Sequence, residues 1–99
     1  MSDMLSISWF IISYDLNKKG QDYKSLIPML KNVLKAYPIL ESVWILPTSD
    51  LSSQQIHDML KGPGLPLDEN DGLIVATIDN VVGSTTLTPI SEIPIIEIS

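Results

Sequence analysis

The chain has 99 residues, 44% of them hydrophobic and 18% charged, with a formal net charge of −6 and no cysteine. This length suits one domain, the composition excludes a disordered chain, and the missing cysteine excludes a disulfide frame or a thiolate site. Every cation is a lysine, and without arginine the planar fork that suits phosphate and base edges is missing, so general nucleic-acid binding is disfavoured.

The first predicted element is a strand over residues 8–16, where "SWFIISYDL" is rich in β-branched and aromatic side chains. Its apolar core, residues 9–12, is far too short to cross a membrane. No basic segment precedes it, so a secretory signal is not expected and the cytoplasm is the expected compartment. A turn with Gly20 follows over residues 17–21. An amphipathic helix comes next, with Leu26, Leu30, Val33, Leu34 and Tyr37 on one stripe and Lys24, Lys31 and Lys35 on the other side. If Ser25 caps this helix, Pro28 falls in the first turn, where its missing N–H matters little. If Asp22 caps it, the helix kinks near Pro28. Pro38 ends it in either case.

Residues 39–48 read as strand, either one bent strand or two short ones. A second helix opens at Ser52, which has capping-box spacing to Gln55, with Leu51 and Ile56 placed as a hydrophobic staple. "GPGLP" stops it at residues 62–66, and "DEND" at 68–71 is an acidic turn. Another strand covers residues 72–79. Two further β-like pieces, residues 85–90 and 93–98, are restricted to edges or ends by Pro89 and Pro94.

With the middle counted as two strands, the order is βαββαβ, an α+β ferredoxin-like sandwich over residues 1–79 with an extra C-terminal strand segment over 80–99. Two helices cover one face of such a sheet. "WFII", "VWIL" and "LIVATI" nevertheless put apolar residues on both faces, as doubly buried strands do. The expected solution is a homodimer formed through the sheet, with the apolar tail pairing with the partner protomer. Trp9, Trp44, Ile95 and Ile98 are the expected interface residues.

"YDL" closing the first strand, "DY" near the first helix, "SVW" in the middle strand and a second helix opening at "LSSQQI" lead into the acidic turn and a strand. Over residues 8–79 this pattern resembles the CRISPR-associated protein Two family, with virulence-associated protein D-type and SinR-family relatives. The resemblance implies a symmetric dimer in which two copies of Asp15 meet near the two-fold as a catalytic, metal-binding pair for cleavage of RNA or DNA. Mg2+ is the implied cofactor, since a hard ion takes one or two carboxylates with waters and can activate water beside a phosphate. The chain departs from the family's nucleic-acid-binding members, which are basic, in carrying Glu41 and no cation in "ILESVWILPT".

The individual residues have plainer readings beside these. Asp15 can accept hydrogen bonds from the backbone of the 17–19 turn, and this structural role is favoured over the metal role. Lys18 and Lys19 can receive a phosphate or a partner, or form a solvated loop. His57 stands alone and off the apolar stripe, so no ordinary zinc site is available within one chain. Residues 1–49 carry five lysines against four carboxylates, and residues 50–99 carry one against eight. The favoured function is a non-catalytic protein-interaction or scaffold module of a defence or mobile-element system, its acidic second half meeting a protein partner. A Mg2+-dependent endonuclease is the alternative, and capture of a small ligand at the dimer cleft a second one.

Overall fold

Period-two alternation organises the longest strand, β1 (Ser8–Asp15). Phe10, Ile12 and Tyr14 are buried on one side, while Trp9, Ile11 and Ser13 are half-buried on the other. The computed structural model describes residues 7–17, 24–83, 85–89 and 92–93. Lys18, Lys19, Ile95 and Ile98 lie outside the described residues.

The first helix, α1, runs over Leu26–Pro28 and continues as a π-helical turn over Met29–Val33. Ser25 is its N-cap and Pro28 sits in the first turn, so the missing N–H removes no helical bond. The Ser25 hydroxyl makes no capping bond. Leu34 N–H donates to the Met29 carbonyl at 2.9 Å, and Ala36 N–H reaches back to Leu30 at 2.8 Å. Between them Lys35 turns left-handed, with φ +65°, and ends the helix. The helix is therefore shorter than the apolar periodicity predicts. The wider π turn keeps Leu26, Leu30 and Leu34, four residues apart, on the buried side. It rotates Val33 outward, where it is 58% exposed.

Strands β2 (Tyr37–Leu40) and β3 (Val43–Thr48) form an antiparallel hairpin around Glu41 and Ser42. The middle segment is thus two strands. Pro38 does not merely stop the helix; it lies within β2, at the sheet edge, with a register shift between Pro38 and Leu40. A residue without an N–H is tolerated there because an edge strand needs only one side of its ladder.

The second helix, α2 (Ser53–Leu60), has the predicted capping box. Ser52 Oγ accepts from Gln55 N–H at 3.1 Å and Gln55 Oε1 accepts from Ser52 N–H at 2.8 Å. Leu51 packs on the same core as Ile56. Strand β4 (Gly72–Ile78) completes an α+β fold with a four-stranded sheet in the order β2-β3-β1-β4, antiparallel at each junction.

Both helices pack on one face. Phe10, Ile12, Tyr14, Trp44 and Leu46 meet Leu26, Leu30, Ile56 and Leu60 there. Trp44, expected at a dimer contact, is inside this core and 3% exposed. Its indole Nε1 donates to the Tyr14 hydroxyl at 3.2 Å, and this buried bond holds it on the helix side.

The opposite face carries a smaller core of Ile39, Ile45 and Ile93, joined by Trp9, Tyr37, Val43, Ile78 and Val81. Its cover comes in part from the chain's own C-terminal segment. Thr88 N–H donates to the Pro38 carbonyl at 3.0 Å, the Thr85 hydroxyl bonds the Ile39 carbonyl, and Ile93 is 2% exposed. This part of the cover is an irregular strap rather than a helix. Residues 85–89 form bends rather than the predicted strand, because the Thr85 hydroxyl also accepts the Leu87 N–H, closing a local turn. Among the described residues no helix is long and apolar enough to cross a membrane.

Candidate functional site

The end of β1 carries the residues singled out from the sequence. Asp15 pairs with Gly72 across the β1–β4 ladder and is exposed. A Cβ placed on Gly72 would lie 3.3 Å from Asp15 Cβ, so glycine leaves the carboxylate room. By strand alternation Asp15 projects to the same face as Ser13, Ile11 and Trp9, away from the helices. Among the described residues its carboxylate has no hydrogen-bond partner.

The turn-capping role expected of Asp15 belongs to Asp71. Asp71 is 2% exposed, the one charged side chain buried among the described residues. Its Oδ1 accepts the Asn17 N–H at 3.0 Å and its Oδ2 accepts the Asp68 N–H at 3.0 Å. Asn17 Nδ2 also donates to the Asn70 carbonyl at 2.9 Å, and Asp68 Oδ1 accepts the Asn70 N–H at 2.8 Å. The acidic turn is thereby riveted to the exit of β1. Its carboxylates serve the backbone of their own neighbourhood, as Asx turns do. Sequence reasoning took this turn as simply polar. The signal was present in the run of Asp and Asn, but nothing in the chain singles out Asp71 over Asp68.

His57 lies on α2 with its side chain 39% exposed. Its Nδ1 is 3.1 Å from Asp58 Oδ1, and Gln54 Nε2 donates to the same oxygen at 2.9 Å. The hydrogen bond from His57, then that from Gln54, holds the exposed Asp58 carboxyl below the ordinary carboxylate range. Among the described residues no group of three His, Asp or Glu side chains is placed to hold a metal ion. Among the described residues Asp15 therefore belongs to no such group.

Two apolar features border this region. Ile74, opposite Ser13 in the ladder, is 66% exposed on the face to which Asp15 projects. At the other end of the same strands, a groove of about 470 Å³ is lined by Trp9, Thr77, Ile78, Asp79 and Val81. Trp9 thus sits between the strap and this groove. No protein-family model, curated protein or solved structure matches the chain.

Proposed function

We propose that the chain is a ferredoxin-like protomer that pairs with a second copy through the sheet face opposite its helices. In this reading it works in the cytoplasm as a non-catalytic interaction or scaffold module of the kind seen among relatives of the CRISPR-associated protein Two family. The strand order β2-β3-β1-β4 supports the ferredoxin-like assignment. The observation that carries the pairing is Ile74. A large aliphatic side chain in mid-strand, 66% exposed beside Ser13, leaves apolar sheet surface beyond the reach of the described strap. The exposed carboxylates of Asp50, Asp58, Glu69, Asp79 and Glu92 give the second half of the chain its acidic surface, suited to a basic protein partner.

Sedimentation at micromolar concentration tests the pairing. The parent is expected at twice the protomer mass, and Ile74→Glu at the protomer mass with unchanged secondary structure. A monomeric parent, or an Ile74→Glu protein that stays dimeric, defeats this reading.

One observation favours the Mg2+-dependent nuclease as a second reading. Asp15 and Ile74 share a face, and Asp15 lies two residues along β1 from Ser13, the partner of Ile74, or about 7 Å. A two-fold that buries Ile74 would bring the two Asp15 carboxylates close, where a hard cation could be shared. Mg2+-dependent cleavage of RNA or DNA by the parent, abolished in a folded Asp15→Asn protein, would replace the first reading with this one.

A further inference from the structure

The outer margin of β4 carries bonding groups that the sheet does not use, and the ladder shows which they are. Tyr14 N–H donates to the Ser42 carbonyl at 3.1 Å, toward the β3 side of β1. In antiparallel pairing these directions alternate residue by residue. Phe10, Ile12 and Tyr14 therefore bond toward β3. Trp9, Ile11, Ser13 and Asp15 bond toward β4, through Ile78, Ala76, Ile74 and Gly72. Pro47 agrees with this phase, since it stands opposite Trp9, where β3 needs no N–H. The N–H and C=O groups of Leu73, Val75 and Thr77 consequently point away from β1. β4 is the last strand of the sheet, and among the described residues nothing pairs with them. No proline or charged side chain blocks this margin.

A groove of about 390 Å³ follows the same margin, lined by Ser53, Gln54 and His57 of α2 and by Leu73, Ile74 and Val75. Its strand side is aliphatic, with Ile74 66% exposed. Its helix side is polar. His57 Nδ1, at 3.1 Å, and Gln54 Nε2, at 2.9 Å, both meet Asp58 Oδ1, and these bonds keep that exposed carboxyl ionised. His57 also lines a second groove, of about 400 Å³, which holds Asp68 and Glu69 against one lysine, Lys61. No lysine lines the first groove.

We infer that the β4 margin takes an extended segment of a basic partner protein as a fifth strand, one that alternates lysine or arginine with β-branched residues. This rests on the reading of the acidic surface as a partner site, and adds where and in what conformation the partner binds. Outward N–H and C=O groups bind main chain, and alternate side chains then select the sequence. An incoming strand lies about 5 Å beyond β4. Its helix-side residues run beside Gln54, His57 and Asp58, where charge complementarity favours cations. Its other residues neighbour Ile74 and Ala76, where β-branched side chains pair well. A second copy is a poorer match, because it brings the same acidic residues to the seam. Nucleic acid offers no peptide ladder and is repelled by the carboxylates. The margin is distinct from the sheet face assigned to pairing, so a dimer would keep two of them open.

Peptides selected on the full chain from a phage-displayed library of random sequences, about 12 residues long, test the inference by fluorescence anisotropy and amide hydrogen exchange. In the free chain the Leu73, Val75 and Thr77 amides should exchange at least tenfold faster than those of Ile74 and Ala76. Enriched peptides should alternate Lys or Arg with Val, Ile or Thr, and should slow those three amides. Methylating alternate peptide nitrogens should cost at least tenfold in affinity in one phase and little in the other, a result independent of any variant's folding. Thr77→Pro, which gives β4 the block that Pro38 gives β2, should also cost at least tenfold and keep the parent's melting temperature within a few degrees. Asp58→Asn should weaken binding several-fold and flatten its salt dependence. Enrichment without basic alternation, or binding indifferent to methylation in both phases, overturns the inference. Protection of the three amides in the free chain also overturns it, since the margin is then already filled. Basic peptides that need Asp58 but leave the three amides fast would keep the acidic partner surface and overturn strand addition. Loss of self-association in Thr77→Pro would make the occupant a second copy, again overturning it. A monomeric parent that binds the peptides as described would instead defeat only the pairing proposed above.

Discussion

Replacing Asp71 by alanine separates the two carboxylates at the end of β1. Asp71 accepts backbone N–H groups from Asn17 and Asp68, each at 3.0 Å, from a buried position. A hydrogen bond to a charged group is worth about 1.5–3 kcal/mol net, and its removal leaves the donor without a partner. Asn17 is exposed, so water can reach its N–H, and the lower end of that range applies. The two bonds together then give a loss of about 3 kcal/mol. A domain of this size has a total stability of roughly 5–15 kcal/mol. The loss corresponds to a fall in Tm of about 12–24 °C. Asp71→Asn keeps an acceptor oxygen but not the charge and should recover about half. Asp15→Ala should stay within about 0.5 kcal/mol of the parent, because no bond to its carboxylate exists among the described residues. Urea unfolding followed by tryptophan fluorescence, at one fixed protomer concentration so that association does not distort the comparison, measures all three. An Asp71→Ala loss below about 1 kcal/mol, or an Asp15→Ala loss as large as that of Asp71→Ala, would refute this division of labour.

Other substitutions probe other joints. Tyr14→Phe strands the buried Trp44 indole N–H and should cost about 1–3 kcal/mol in the same assay; a neutral result would mean the 3.2 Å bond carries no weight. Ser52→Ala removes the cap of α2 and should cost about 1 kcal/mol, read as lost helical ellipticity together with a lower urea midpoint. Lys35→Gly relieves a left-handed side chain and should raise stability by about 0.5–1 kcal/mol, despite the added backbone entropy of glycine; a lower Tm would show the conformation to be cheap.

The elements that could be read from the chain are those whose signals are local. The capping box of Ser52 and Gln55 marks α2 by side chains three residues apart, and both of its bonds form. The apolar runs of β1, β3 and β4 likewise announce strands. α1 was harder, because its heptad-like pattern continues through Val33 and Tyr37 while its backbone does not. The helix widens into a π turn and breaks at Lys35, a residue with no turn preference. The cover on the second face was also hidden. Apolar residues on both sides of the strands show that something must lie there, but not that Val81 and Ile93 of the same chain supply part of it. That contact rests on tertiary bonds between Thr85, Thr88 and the edge strand, which have no sequence period. At the candidate site, a carboxylate at the end of β1 was legible as a feature. Its exchange of roles with Asp71 was not, because two turns 54 residues apart had to be brought together first.

The two margins of the sheet are unequal, and this limits what the molecule can build. Along β2 the outer margin is interrupted by Pro38, which lacks an N–H, and its carbonyl is already taken by Thr88. Along β4 the sequence "GLIVATI" offers no charge and no proline, and nothing among the described residues pairs with its outer side. Natural sheets that leave such a margin bare risk open-ended stacking of strands. Among the described residues, growth by strand addition has only the β4 margin to start from. Two copies joined margin to margin through β4 would present only their β2 sides outward, and the chain reaction would stop at two. In a pair joined that way the proline in β2 and the strap beside it would act as a terminator, so that the β4 margin could be used once without seeding a fibre.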